Sequence, residues 1–231
     1  MYKTLNFYTP YDEIINESHV VIGGASGAGK SVLLDDLIYN LTAFNPEYQK
    51  IVLIDPKRVS FLKWSAFPHV LELVTEPHEI TQALERLNQE MDYRYNLMQK
   101  QGLEESDKYL IHVIIDEANE VLRDKRNLEL VDRLFRLARA ASIHCILASQ
   151  DVSRSTGIPA RIWKNSSCNI GLRCNNATDS RQVIFDKGCE SLPKYGYCIV
   201  RSCEGLYKVK VPYTDREKIK NRLAEVNEYY R

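Results

Sequence analysis

No apolar run opens this sequence: the N-terminal stretch MYKTLNFYTPYDE offers neither a signal peptide nor a membrane span. Nor is there an excess of either charge. Lysine plus arginine number 31 and aspartate plus glutamate 31, a formal net charge of zero. That excludes a protein coated in nucleic acid through bulk charge, while leaving room for a local basic strip. Internal repeats, low-complexity tracts and long Pro/Gly/Ser linkers are missing, so the 231 residues read as one domain (1–231). Six cysteines, at 145, 168, 174, 189, 198 and 203, form no CxxC and do not combine with the histidines at zinc spacing. They fit reduced, mostly buried thiols in a cytoplasmic protein.

Short apolar runs alternate with helical patterns along most of the chain. HVVIGG (19–24), IVLID (51–55), HVLELV (69–74), LIHVIID (110–116) and IHCILAS (143–149) read as strands. Between them lie helical stretches at 31–44, 77–101 and 128–141. The long middle one carries Ile80, Leu84, Leu87, Met91, Tyr95 and Met98 on one face and stops at Gly102. Strands alternating with helices imply right-handed crossovers, hence an α/β fold whose mostly parallel sheet is covered by helices on both faces. The C-terminal third differs: 195–202 and 206–213 flank a Cys-Glu-Gly turn as a β-hairpin, and a final helix occupies 214–231. Residues 1–18 form a lead-in.

Residues Gly24-Ala25-Ser26-Gly27-Ala28-Gly29-Lys30-Ser31 match G-x-x-x-x-G-K-[ST] between a strand and a helix. Such a loop turns backbone N–H groups toward phosphate oxygens, and its glycines permit the close approach. With glycine near 7% of residues in general, a chance match in this chain is on the order of one in a hundred. The stretch through Val32 is therefore expected to cradle ATP, with Lys30 reaching the β- and γ-phosphates and Ser31 ligating Mg²⁺. Asp116, ending a later strand, is expected to complete the Mg²⁺ shell, and Glu117 to polarise an attacking water. Gln150, ending another strand, either contacts the γ-phosphate and lytic water or merely caps the strand.

Four stretches together resemble the FtsK/SpoIIIE group of the HerA–FtsK superfamily of ring-forming translocases: GASGAGKSVLL, LIDPKRVSF (53–61), EMDYRYNLMQKQG (90–102) and RLARAASIHCILASQ (136–150). TDSRQVIFDKGCESL (178–192) resembles a fifth block, in the same order. The resemblance spans roughly residues 19 to 200. It implies a RecA-like ATPase core, a homo-oligomer, usually a hexameric ring, and transport of double-stranded DNA through its channel. Ring assembly gives a role to arginines outside their own site. Arg139 is the candidate finger for a neighbour's γ-phosphate, with Arg181 and Arg94 as runners-up; an exposed ion pair is the plainer role for Arg139. Asp55 sits near another strand end. Lys57 and Arg58 either bind phosphate, DNA or a neighbouring subunit, or form a solvated charge pair.

The sequence departs from the family pattern after Gln150, reading Asp151-Val152-Ser153-Arg154 where an arginine and a proline are usual. Arg154, Arg161 and Lys164 are the candidate contacts to the DNA backbone, since such contacts need charge rather than sequence. The process served is expected to be mobile-element transfer or phage genome packaging, with a membrane-bound or capsid partner recruiting the ring. The alternative is an FtsK-like ATPase of a protein secretion system.

Overall fold

A computed structural model describes residues 3–4, 17–153 and 157–229. In chain order the elements are β1 (Lys3–Thr4), β2 (His19–Gly23), α1 (Lys30–Leu41), β3 (Gln49–Ile54), β4 (Val70–Val74) and α2 (Pro77–Gln101). There follow β5 (Leu110–Ile115), α3 (Ala118–Val121), α4 (Lys125–Leu137), β6 (Ile143–Ser149), α5 (Ala160–Asn165) and β7 (Cys168–Gly171). Last come α6 (Ala177–Ile184), β8 (Tyr197–Ser202), β9 (Gly205–Lys210) and α7 (Arg216–Tyr229). The nine strands of the described residues form one sheet in the order β1-β9-β8-β7-β2-β6-β5-β3-β4. Every neighbouring pair is parallel except β7–β8 and β8–β9, so β8 alone runs against the rest.

The helix boundaries follow from local chemistry. Pro77 opens α2 where its missing N–H costs nothing, and Gly102, at φ 69°, closes it by donating to the Met98 carbonyl. Asp124 caps α4 through the Asn127 N–H, which is why that helix starts three residues before its apolar pattern does. Asn176 caps α6 through Asp179. By contrast α1 has no side-chain cap; Gly29 precedes it in the left-handed region at φ 98°.

Two apolar cores sandwich the sheet. One packs α2, α4, α5 and α6, through residues such as Leu84, Leu134, Trp163 and Val183. The other packs α1, the loop aromatics Phe61, Trp64 and Phe67, and Ile219 of α7. The expected α/β sheet covered on both faces, with its C-terminal hairpin and last helix, is what the chain builds. Two strands escaped sequence reading: β1, two residues of the lead-in paired with β9, and β7, only four residues with Asn169 and Gly171 among them, which lies beside β2 near the middle of the sheet.

Candidate nucleotide site

The parallel strands bring their C-terminal ends to one edge. There Gly23 of β2 pairs with Ser149 of β6, so Gln150 follows β6 beside the start of the P-loop. Ile115 of β5 pairs with Leu147 of β6 and with Ile54 of β3, which sets Asp116 and Asp55 next along the same edge. Strand β6 thus separates the P-loop strand from the strand that carries Asp116.

Within the loop, Gly27 and Gly29 hold φ of 71° and 98°, conformations that other residues rarely adopt. The Ala25 N–H donates to the Arg173 carbonyl (2.9 Å) and the Ala28 N–H to the Ala25 carbonyl (3.1 Å), which anchors the loop on the segment after β7. The first helical bond of α1 is Leu33 N–H to Gly29. Backbone donors at Gly27 and from Gly29 to Val32 therefore take no partner among the described residues and remain for an anion. A Cβ on Gly24 would come within 2.9 Å of the Leu172 Cβ, so that segment also requires glycine at the mouth of the loop.

The Lys30 ammonium folds back on the loop, donating to the carbonyls of Gly24 (2.6 Å) and Ala25 (3.0 Å). Burial pulls its pKa down from 10.5 to about 8, against the opposing pull of the Glu117 and Asp116 carboxylates. Asp116 is buried; its Oδ2 accepts from the Ser60 hydroxyl (2.6 Å) and its Oδ1 from the Glu117 N–H (2.9 Å). Ser60 is held in turn by Asp55, whose carboxylate accepts from the N–H groups of Lys57 (3.1 Å) and Ser60 (2.7 Å). Glu117 sits in the left-handed region at φ 50°, with Oε1 paired to the Lys57 ammonium (3.1 Å). Its Oε2 is buried and takes no hydrogen bond among the described residues. Backbone strain of this kind concentrates at functional sites, and here the carboxylate lies close enough to the P-loop lysine to favour its charge.

The LIDPKR block divides between the expected roles: Lys57 engages the buried Glu117, whereas Arg58 forms a solvent-exposed charge pair. Asp55 organises the turn, Lys57 pairs with Glu117, and Arg58 reaches Glu76 (2.8 Å). Sequence reading missed Ser60 and the Lys57–Glu117 pair; the serine three residues past Lys57 had no local pattern to mark it. It also missed Asn119, which accepts from the Ser149 hydroxyl (2.9 Å) and ties the turn after Glu117 to the end of β6. Gln150 is half-buried just past the end of β6.

Residues 7–124 match the FtsK/SpoIIIE family. The chain belongs to that family. The DNA translocase FtsK of Staphylococcus aureus is 34% identical over 200 residues, covering 75% of this chain and 25% of the translocase. The chain thus spans about a quarter of the length of the curated relatives it matches. Among solved structures, the cytoplasmic domain of the Thermomonospora curvata type VII secretion ATPase EccC superposes with a TM-score of 0.78 at 25% identity. It covers 90% of this chain and 28% of EccC. The conjugation coupling protein TcpA of pCW3, in its monomer form with ATPγS, gives a TM-score of 0.80 at 21% identity, covering 94% of this chain and 66% of TcpA. The protein is an FtsK-like ATPase motor domain with the P-loop, RecA-like α/β fold of that family.

Other residues singled out by their resemblance to FtsK/SpoIIIE proteins fall at different places. Arg94 is fully buried: it pairs with Glu90 (2.7 Å) and donates to the carbonyls of Tyr109, Ala141 and Ser142. That removes it from the candidate fingers, because its donors already hold together the ends of α2, β5 and β6. Arg139 is exposed in the turn after α4, makes no ion pair among the described residues, and lies close enough to His19 and His144 to depress both. It sits at the entrance end of the strands, opposite the P-loop. Arg161 pairs with Asp132 (3.0 Å), which Arg136 also engages (3.1 Å), so much of its charge is spent inside the protein. Lys164 and Arg181 line one shallow cavity together with Trp163 and Phe185. Arg154 lies outside the described residues. No helix among the described residues is long and apolar enough to cross a membrane.

Proposed function

We propose that this chain is the ATPase core of a cytoplasmic DNA translocase, in which a ring of identical subunits hydrolyses ATP to move double-stranded DNA. The observation that carries this reading is the 34% identity to a DNA translocase over 75% of this chain. Mobile-element transfer or genome packaging is the setting we favour, with a membrane-bound or capsid partner recruiting the ring.

In this reading the unpartnered amides of Gly27 and of Gly29 to Val32 bind the phosphates, with Lys30 moving off its loop carbonyls onto the β- and γ-oxygens. The Ser31 hydroxyl, which makes no hydrogen bond among the described residues, and the Asp116 carboxylate form an all-oxygen donor set that suits Mg²⁺. When bound, that ion neutralises charge on the phosphate oxygens. Glu117 offers its buried, unpartnered Oε2 to the attacking water and receives the water's proton, while Lys57 holds the other oxygen in place. Gln150 orients the same water. Arg139 reaches the γ-phosphate of a neighbouring subunit, and Lys164 and Arg181, which line one cavity, contact the phosphates of the duplex.

The test is steady-state ATP hydrolysis with and without kilobase-length duplex DNA. Stimulation by duplex is expected in the wild type, and Glu117→Gln should lower turnover by about 10²-fold or more while nucleotide binding persists. The EccC likeness favours a second reading, a protein secretion ATPase; hydrolysis that depends on Glu117 yet ignores DNA would support it.

A further inference from the structure

Two cysteines meet beside the P-loop. Cys174 follows β7, and Cys189 opens a short turn after α6. The Cys174 N–H donates to the Cys189 carbonyl (3.2 Å), and the two thiols lie within hydrogen-bonding reach of each other. Residues paired in this way through the backbone have α-carbons about 4.5–5.5 Å apart, inside the range of about 4.4–6.8 Å that a disulfide spans. Both thiols are covered, at 2% and 0% exposure. The cover is one residue deep: Arg173 and Asn175 on either side of Cys174 are exposed, and so is the turn at 185–187 that leads into Cys189. A small solute reaches sulfurs this close to the surface when such a turn opens locally.

Cys174 ends the segment that anchors the P-loop. The Leu172 N–H donates to the Gly23 carbonyl (2.9 Å), and the Arg173 carbonyl accepts from the Ala25 N–H (2.9 Å). The Cys174 thiol turns back onto the Leu172 carbonyl (3.5 Å) and lies near enough to Lys30 to influence its charge. Cys189 is gripped from the other side. Its N–H donates to the Ser180 hydroxyl (3.0 Å), and its sulfur rests on Gly171, where any Cβ would collide with it. Closing a disulfide brings two sulfurs from non-bonded contact to about 2.05 Å. With Cys189 fixed by α6 and Gly171, that movement falls on residues 172–174 and draws the Arg173 carbonyl off the Ala25 N–H. The chemistry also separates this pair from the other thiols. Hydrogen bonding to Cys174, with a further bond to Ser180, favours the Cys189 thiolate against the effect of burial. In Cys145 and Cys198 burial dominates and pushes the thiol up, to about 12 in Cys145.

We propose that Cys174 and Cys189 form a peroxide-reactive pair whose disulfide loosens the P-loop and weakens nucleotide binding. The Cys189 thiolate attacks one oxygen of hydrogen peroxide, the O–O bond breaks, and the departing hydroxide leaves as water with the proton the thiol gave up. The Cys174 sulfur then attacks the sulfenic sulfur of Cys189. The S–O bond breaks, and the second hydroxide leaves as water with the Cys174 proton. Two electrons pass from the sulfurs to the peroxide, and thiol–disulfide exchange with a dithiol returns them. The inference rests on nucleotide binding by the P-loop and adds a control of it.

The test is ATPγS calorimetry on the full chain before and after hydrogen peroxide, with peptide mapping of the alkylated protein by mass spectrometry. Peroxide should join Cys174 to Cys189 and weaken ATPγS binding by about tenfold, the effect of one displaced backbone anchor. Dithiothreitol should restore both the thiols and the affinity. Cys189→Ser should bind ATPγS as wild type does and keep that affinity in peroxide, whereas Cys203→Ser, which removes the exposed thiol, should stay sensitive. A map that shows Cys203 oxidised but no Cys174–Cys189 disulfide would overturn the proposal. So would a disulfide that leaves ATPγS affinity unchanged, or a Cys189→Ser variant that still loses affinity in peroxide. Where Cys189→Ser does not fold, the map and its reversal in Cys203→Ser decide. Failure of the reduced wild type to bind ATPγS would instead overturn the nucleotide reading itself, and this one with it.

Discussion

At Lys30 two opposing influences meet: burial depresses the ammonium to about pH 8, and the carboxylates of Glu117 and Asp116 support its charge. A bound polyphosphate adds negative charge and so favours the protonated lysine. Where the empty-site lysine is already charged, binding requires no proton uptake; above its pKa, binding must draw one from solution. Affinity for ATPγS is thus expected to be flat below about pH 8 and to fall by up to about tenfold per unit above it. Calorimetry from about pH 7.5 to about pH 9.5 reads this directly, and a flat profile across that range would count against the proton linkage. Residue identity here was legible in advance: the P-loop spacing marked Lys30 and Ser31, and the strand-ending carboxylates marked Asp116 and Glu117. What surrounds them was not. Ser60 touches Asp116 across 56 positions of sequence, and Lys57 meets Glu117 across 60, separations at which no periodicity operates.

Elements were legible where their patterns are long. The apolar face of α2 repeats from Ile80 to Met98, and β5 and β6 are apolar runs broken by one histidine each, so both kinds could be placed from sequence. Strand β7 was not, since CNIG has four residues and neither alternation nor β-branched density; its place is set by pairing with β2 on one side and β8 on the other. Strands also carry two buried histidines, His19 in β2 and His112 in β5, and a half-buried one, His144 in β6. His19 stacks on Phe135 (ring centres 4.8 Å apart) and His112 meets His144 edge-on (5.7 Å). Burial is the main cause that lowers these from 6.5 to about 3, 3 and 4 respectively; the neighbouring His144 and Arg139 charges add to it for His19, His144 for His112, and Arg139 for His144. Each folded value lies below the unfolded one, so the unfolded chain binds more protons as the pH drops. Stability is therefore complete above 6.5 and lost progressively below it, toward 3 to 4. Urea midpoints should fall from about pH 7 to about pH 5, less steeply in His112→Leu. Midpoints that do not move would show that these rings titrate normally.

Across the whole molecule, neutral net charge and a one-sided nucleotide edge shape what an assembly can do. Arg139 lies at the strand entrances, and the five residues of β2 separate it from the P-loop by about 16 Å of extended chain. A residue so placed cannot serve its own site, and in the proposed ring it is the one offered to a neighbour's. Arg139→Ala is expected to leave ATPγS binding unchanged and to reduce hydrolysis by about 10³-fold or more. Mixing it with Lys30→Ala should restore part of the activity, because one subunit then supplies the intact nucleotide site and the other the intact arginine. Wild-type turnover in Arg139→Ala alone would remove the residue from catalysis.

By itself the sequence determined the chemistry and the edge on which it gathers. Strands joined by helices must run parallel, parallel strands share a C-terminal edge, and the P-loop, Asp116, Glu117 and Gln150 all fall just past strand ends. Tertiary structure alone decided which partners the charged residues take. It buried Arg94 among carbonyls, tied Arg161 to Asp132, set Lys57 on Glu117 and brought Cys174 beside Cys189. The physical reason is one of range. Periodicity and turn chemistry act over a few residues and define faces and ends, whereas the partner of a charge is set by strand order and by how the helices pack, which join residues far apart in the chain.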